Sequence, residues 1–298
     1  MVFGGTAFYA AQAIMRSGGP PPLLVSVLGN DLSPDQLRSQ FVGPIDLSGL
    51  MRTTSLPSFF WEGRYDDSFE ESTTTVLENR LIDGFEPDWL SLRQDFPDTP
   101  VCYLAAFDPR VQLACCRHFA QSCIVSETLQ YWIGRDRRGV LDLAKASNGF
   151  VVTERECRDL WQLDPEPHMR HEQLKGVVEA YGLDFLIVTF ADRGSQVFDA
   201  EGTFFAPALT CETVDSTGAG NAFTGGIVAH LARCGTRDRP ELMEAVSLGT
   251  ALASLQVRSF SNHTLRTTGI AGIEALRQEA RSRICWFHTS GGPNDHKI

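Results

Sequence analysis

Between Pro100 and Phe190, short apolar runs alternate with helical stretches, and no other feature of the chain limits the fold as strongly. Strands are read at 101–106, 122–126, 150–153 and 185–190, and helices at 109–120, 137–146, 154–163 and 168–181. Runs such as Phe150-Val151-Val152 and Phe185-Leu186-Ile187-Val188 are apolar on both faces of a strand. That suits parallel strands covered by helices on each side. Ligands of such folds bind beyond the carboxyl ends of the strands, so the residues just after each run are the candidates for function. The 298 residues suffice for one large α/β domain with a small appendage, or for two small domains.

Downstream lies a glycine-rich stretch. Asp215-Ser216-Thr217 leads into Gly218-Ala219-Gly220, and Asn221-Ala222-Phe223 then opens a helix that ends near Gly235. A glycine turn feeding a helix start leaves backbone N–H groups unpaired at the positive end of the helix dipole, which makes an anion site. The glycines alone read equally well as an ordinary loop before a helix. Gly225 and Gly226, in the first turns, would let a neighbouring element approach closely. The net charge of −11 argues against a nucleic-acid or anionic-membrane partner. An anionic ligand must then be held by backbone amides, a metal ion or a few local cations. The eight cysteines form no CxxC pair and read as reduced thiols of a cytoplasmic protein. Neither a signal peptide nor a run of membrane-spanning length is evident.

The N-terminal third reads as smaller pieces. Gly4-Gly5 makes a turn before a helix that reaches about Ser17, and an apolar run, Leu23 to Leu28, ends in Gly29-Asn30-Asp31. Phe59, Phe60, Trp61 and Tyr65 precede a polar turn, and Ser72 to Leu77 follow it, which suggests a β-hairpin. After the glycine stretch come an apolar helix from Glu241 to Val257 and a last helix from about Gly272 to Arg283. The tail from Thr289 onward reads as disordered.

The string DSTGAGNAFTGG, Asp215 to Gly226, resembles the C-terminal motif of the ribokinase, or PfkB, family of carbohydrate and nucleoside kinases, D-[ST]-x-G-A-G-D-x-F-x-x-G. Further similarities follow in the family's order. Glu127-Thr128-Leu129-Gln130-Tyr131-Trp132-Ile133 is similar to the D-T-M-N-x-W-I run of an adenosine-kinase-like branch. Thr153-Glu154-Arg155-Glu156 aligns with N-x-x-E, although T-x-x-E is equally a helix capping box. Thr189 to Gly194 resembles T-x-G-x-x-G, with Ala191 for the first glycine, and Ala253 to Val257 resembles A-S-x-x-V.

The resemblance implies a ribokinase-like three-layer α/β/α sandwich with a mostly parallel central sheet. The expected domain spans 1–283, with a small β-hairpin lid at about 53–82 and a tail at 284–298. It implies ATP and Mg²⁺ as cofactors and a sugar or nucleoside as acceptor; the oligomeric state stays open, with a homodimer through the lid as one option. Gly218, Ala219 and Gly220 would form the anion hole. Asp215, Thr217, Thr189, Gly194 and Ser254 would lie by the nucleotide, and Glu156 would act on the metal through water. Gly4, Gly5, Asn30 and Asp31 would lie by the acceptor. The family's first strand, which precedes the GG turn, has no counterpart before Gly4. The family's catalytic Asp is Asn221 here. An amide cannot serve as a general base, so a non-catalytic nucleotide- or sugar-binding protein is the alternative, and Asp192 or Glu127 is a substitute base. Asn221→Asp is expected to raise phosphotransfer without disturbing the loop.

Overall fold

The computed structural model describes residues 2–65, 72–164 and 167–286. The chain opens with helix α1 (Thr6–Arg16), strand β1 (Ser26–Leu28), helix α2 (Pro34–Arg38) and strand β2 (Leu50–Arg52). The hairpin of β3 (Phe60–Tyr65) and β4 (Ser72–Glu78) follows, then the short helices α3 (Arg80–Asp83) and α4 (Trp89–Asp95). Next come β5 (Val101–Leu104), α5 (Pro109–His118), β6 (Cys123–Glu127) and α6 (Gln130–Lys145). They lead into β7 (Gly149–Thr153), α7 (Glu154–Trp161), α8 (Pro167–Tyr181) and β8 (Phe185–Thr189). A hairpin of β9 (Gly194–Asp199) and β10 (Gly202–Pro207) comes next. Helices α9 (Ala219–Cys234), α10 (Arg239–Gln256), α11 (His263–Thr267) and α12 (Ile270–Ser282) precede strand β11 (Cys285–Trp286).

Seven strands form the main sheet in the order β11-β10-β9-β8-β7-β6-β5. β5 to β8 run parallel, while β9, β10 and β11 extend the sheet antiparallel from β8. Period-2 alternation divides the sheet's side chains between two cores. Phe150, Val152, Leu186 and Val188 pack beneath α5 to α8 with Leu143 and Leu160. Val151, Phe185, Ile187 and Phe204 face α9 and α10, against Phe223, Ile227, Leu242 and Val246. This is the expected three-layer α/β/α sandwich. Phe150, Phe185, Phe198 and Phe204 are fully buried, each contributing roughly 1.5–3 kcal/mol of apolar transfer.

Two small sheets stand apart from the large one. β1 pairs in parallel with β2, and β3 pairs with β4, with a register shift at Glu62/Gly63. β1 therefore does not enter the main sheet, and β5 is its outermost strand on that side. The expected β-hairpin is present, with Trp61 Nε1 donating to Thr74 Oγ1 at 3.0 Å across it. The two small residues of α9 set its packing. A methyl on Gly225 would sit 2.8 Å from the Ala10 carbonyl oxygen, and one on Gly226 would sit 2.8 Å from Gly249 Cα. α9 is thus clasped between α1 and α10, which fixes where its first turn points.

Three boundaries differ from the sequence reading. α6 begins at Gln130, before the expected start at 137, because Asp136 breaks it. Asp136 has non-helical backbone angles, and its Oδ1 accepts from the Gly139 amide at 2.9 Å, capping a second segment. The β9–β10 hairpin was not anticipated. Cys285 and Trp286, expected as the start of a tail, pair with Phe205 and Phe204. The segment expected to be disordered, from Thr289 onward, lies outside the described residues.

Candidate active site

The loop before α9 is held from both sides. The amides of Val214 and Asp215 donate to the Val257 carbonyl at the end of α10, at 2.8 and 3.2 Å. Asp215 Oδ1 accepts from the Thr217 amide at 3.0 Å, so this carboxylate shapes the turn. Gln256 Nε2 donates to the Thr217 carbonyl at 3.1 Å, which removes that oxygen as a partner for the helix start. The Ala219 amide donates to the Ser216 carbonyl at 3.1 Å. Among the described residues no carbonyl receives the amides of Gly218, Gly220 or Asn221. Gly218 has φ +81, and Gly220 is exposed. Three free donors at the positive end of a sixteen-residue helix can hold a phosphate or the charge that develops in phosphoryl transfer.

One turn into α9, Asn221 meets a buried carboxylate. Its Nδ2 donates to Glu127 Oε2 at 3.0 Å, and Glu127 stands at the carboxyl end of β6. Tyr103 from β5 donates its hydroxyl to the same oxygen at 2.5 Å, and Thr224 of α9 donates to Oε1. Gln112 of α5 donates to the Glu127 main-chain carbonyl at 3.0 Å. Burial pushes the Glu127 carboxyl up to about 7 against the pull of these donors, and the nearby Glu156 charge adds to the rise. Burial and the adjoining Glu127 charge push the Tyr103 hydroxyl well above its ordinary range. An aspartate at position 221, expected from the sequence to leave the loop undisturbed, would meet this carboxylate. It would set two carboxylates against each other, and one would have to take a proton.

The carboxyl of Glu127 binds its proton more tightly in the folded state than in the unfolded chain, where a glutamate titrates at its ordinary 4.5. Stability from this group is therefore complete below that value and is lost as the pH rises through about 7. Glu127→Gln is expected to gain on the wild type by about 3 kcal/mol between acid and pH 8. Urea unfolding of both proteins across that range checks it, and parallel curves would refute it.

At the opposite end of the loop, Tyr9 of α1 joins the two glycine turns. A methyl on Gly4 would meet its hydroxyl at 2.9 Å, and one on Gly218 would collide with its ring carbons. Burial, followed by the Asp215 charge and Tyr65, raises the Tyr9 hydroxyl well above its usual range. The hairpin closes over this corner, since Thr217 Oγ1 donates to the Tyr65 hydroxyl at 3.1 Å. Gly5, with φ +107, stands at the N-cap of α1. Asn30 and Asp31 face the segment that leads into the hairpin. Asn30 Nδ2 donates to the Thr54 carbonyl at 3.2 Å, and Asp31 Oδ1 accepts from the Ser58 amide at 2.7 Å.

At the carboxyl end of β7, Thr153 and Glu156 do form a capping box. The Thr153 amide donates to Glu156 Oε2 at 2.9 Å, and the Glu156 amide donates to Thr153 Oγ1 at 3.2 Å. Burial raises the Glu156 carboxyl against these bonds. Thr189 Oγ1 donates to the Val152 carbonyl at 3.4 Å, at the end of β8. Ala191 has φ +51, so the position where the resembled motif carries glycine keeps a left-handed backbone with a methyl on it. Gly194 opens β9. Ser254 is buried and spends its hydroxyl hydrogen on the Ala251 carbonyl at 2.8 Å. Asp192 lies in the 3₁₀ turn after β8. Tyr9, Tyr103 and Thr224 were not singled out from the sequence, because isolated aromatic and hydroxyl residues in apolar stretches give no local signal.

Comparison with known proteins bears on this arrangement. Residues 85–267, well over half of the chain, match the profile described as pfkB family carbohydrate kinase. A 115-residue stretch is 38% identical to the aminoimidazole riboside kinase of Salmonella typhimurium and covers 39% of this chain and 35% of that one. A 133-residue stretch is 29% identical to a fructokinase-2 of Oryza sativa subsp. japonica and covers 43% of this chain and 38% of that one. The matches thus span little more than a third of those relatives. A Vibrio cholerae fructokinase, solved with fructose, ADP and calcium bound, superposes with TM-score 0.73 at 15% identity, over 92% of this chain and 90% of its own. A Burkholderia thailandensis nucleoside kinase, solved with inosine, gives TM-score 0.73 at 17% identity, over 94% and 88%. At these identities the superpositions speak for the fold.

Proposed function

The chain belongs to the pfkB family of carbohydrate kinases, and we propose that it transfers the γ-phosphoryl group of ATP to a hydroxyl of a sugar or nucleoside. The observation that carries this reading is the set of unpaired amides at Gly218, Gly220 and Asn221, aimed from a helix start beside the strand ends. In such transfers the protein chiefly positions the groups and stabilises charge. The amides would hold the transferring phosphoryl, with Asp215 and Thr217 shaping the loop behind them. Thr189, Gly194 and Ser254 belong to the nucleotide side of this proposal, and Gly4, Gly5, Asn30 and Asp31 to the acceptor side. Tyr65, across Thr217, would exclude water from the reacting corner.

Mg²⁺ fits the residues present. Glu156 is a hard oxygen donor, and an oxygen that accepts from Thr153 retains lone-pair capacity for a metal-bound water. A metal there would neutralise phosphate charge. We read residues 1–283 as one catalytic unit. The exposed Phe59, Val76 and Leu77 around the hairpin would suit a homodimer through it. None of the eight cysteines is in a disulfide, which supports a reducing, cytoplasmic setting. No helix among the described residues is long and apolar enough to cross a membrane. The amide at Asn221 favours a second reading, a nucleotide or sugar binder without turnover.

The kinase reading and the nucleotide-binding form of the second reading both require nucleotide at the loop. ADP with Mg²⁺ is expected to release heat on titration and to raise the melting temperature at millimolar concentration. The absence of both effects would reject the kinase and the nucleotide-binding readings together.

A further inference from the structure

We propose that Glu127 supplies the carboxylate that position 221 lacks: it fixes the Asn221 amide with its oxygen toward the acceptor hydroxyl and takes up the hydroxyl proton through that amide. This rests on the phosphotransfer reading above. A carboxylate only accepts hydrogen bonds, so the contact with Glu127 at 3.0 Å decides which end of the amide faces it. Nδ2 points at Glu127, and Oδ1 is left as the acceptor at the other end. Glu127 is buried while Asn221 is partly exposed, so the amide lies between the carboxylate and the open side of the loop.

The groups that face Glu127 come from four elements. Tyr103 comes from β5, Gln112 from α5, Glu156 from α7, and Asn221 and Thr224 from α9. Tyr103, Asn221 and Thr224 all donate to the carboxylate, so its ionised form is the one the site is built to hold. Burial nevertheless lifts the group to about 7, where an acceptor of protons works best near neutral pH. A second carboxylate at 221 would repel this one, so the Asn221–Glu127 pair keeps a single negative charge in the space.

The step balances. The acceptor oxygen attacks the γ-phosphorus, its O–H bond breaks, and the proton goes to Asn221 Oδ1. The Nδ2–H bond facing Glu127 breaks, and that proton goes to Glu127 Oε2. The P–O bond to the β-phosphate breaks, and its electron pair leaves with ADP. The amide, left as its imidic-acid tautomer, recovers when Glu127 returns its proton to nitrogen and Oδ1–H passes its proton to water. Glu127 acts through Asn221 and is a positioning residue in this step.

The test compares the wild type with Glu127→Gln, Asn221→Asp and the double variant, in which amide and carboxylate change places. Each is assayed for phosphotransfer to a panel of sugars and nucleosides from pH 5 to 9, and for ADP–Mg²⁺ affinity by calorimetry. In the wild type kcat/KM should rise with pH to a plateau above about 7. Glu127→Gln should keep nucleotide affinity, lose about 10²-fold in kcat and lose the acidic limb. The double variant should recover at least the wild-type rate, because its carboxylate would meet the hydroxyl directly. Should Glu127→Gln fail to fold, Glu127→Asp retains the charge but withdraws it from the amide, and should lower kcat with KM little changed. A Glu127→Gln protein with wild-type kcat and an unchanged limb overturns the proposal, as does a double variant no faster than Glu127→Gln. A wild type that binds ADP–Mg²⁺ yet phosphorylates no acceptor overturns it too. A wild type that neither binds nucleotide nor phosphorylates overturns the phosphotransfer reading itself.

Discussion

Gly218→Ala should lose detectable ADP binding and destabilise the protein by about 3 kcal/mol. Two costs combine. Gly218 sits at φ +81, where an L side chain meets its own backbone at a cost of about 1–2 kcal/mol. The added methyl would also collide with the Tyr9 ring, 2.8 Å from Cδ1 and closer still to Cγ and Cδ2, and such overpacking costs about 1–3 kcal/mol. Tyr9 is buried against Phe8 in the α1 core and has little room to yield. The loop would move instead, and the amides of Gly218, Gly220 and Asn221 would no longer converge. Urea unfolding and ADP titration measure the two effects. In a Tyr9→Ala background the same change should cost only about 1–2 kcal/mol, the backbone part alone. An equal cost in both backgrounds would show that Tyr9 is not the obstacle.

Gly194→Ala should be the more destabilising of the two, by about 4 kcal/mol. Its backbone, φ 122 and ψ −145, lies in a region essentially confined to glycine, at a cost of about 1–3 kcal/mol for other residues. The methyl would sit 2.8 Å from the Ala208 amide nitrogen and closer still to the Ala206 carbonyl oxygen. Both atoms belong to the partner strand of the sheet and the residues just after it, so relief requires β9 and β10 to part. Chemical denaturation gives the number, and a loss below about 1 kcal/mol would contradict this account of the turn.

The layers of the fold were legible because their signal is local. Phe150-Val151-Val152 and Phe185-Leu186-Ile187-Val188 feed both cores by simple alternation, and that pattern survives without knowledge of any neighbour. The α6 boundary was missed because Gln130 to Arg135 reads as loop until Asp136 is seen to cap a second segment. The β9–β10 hairpin did carry a cue. Asp199-Ala200-Glu201-Gly202 joins two alternating runs, and Asp199 Oδ1 accepts from the amides of Glu201 and Gly202 at 2.8 and 3.1 Å. The anion loop was legible from its glycines. Its surroundings were not, because they are contacts between distant segments. Asn221 reaches Glu127 across 94 positions and Tyr103 across 118, and no spacing rule links such residues. The same contact changes the meaning of Asn221. As a lone departure from a motif it reads as loss of a base, whereas beside Glu127 it is one half of an amide–carboxylate pair.

Product analysis by mass spectrometry, after incubation with ATP, Mg²⁺ and a panel of sugars and nucleosides, tests the kinase reading most directly. The expected result is at least one acceptor that gains a single phosphate, with stoichiometric ADP, and no such product from Gly218→Ala. ATP left intact with every acceptor by a protein that is folded and binds ADP would contradict phosphotransfer at this loop.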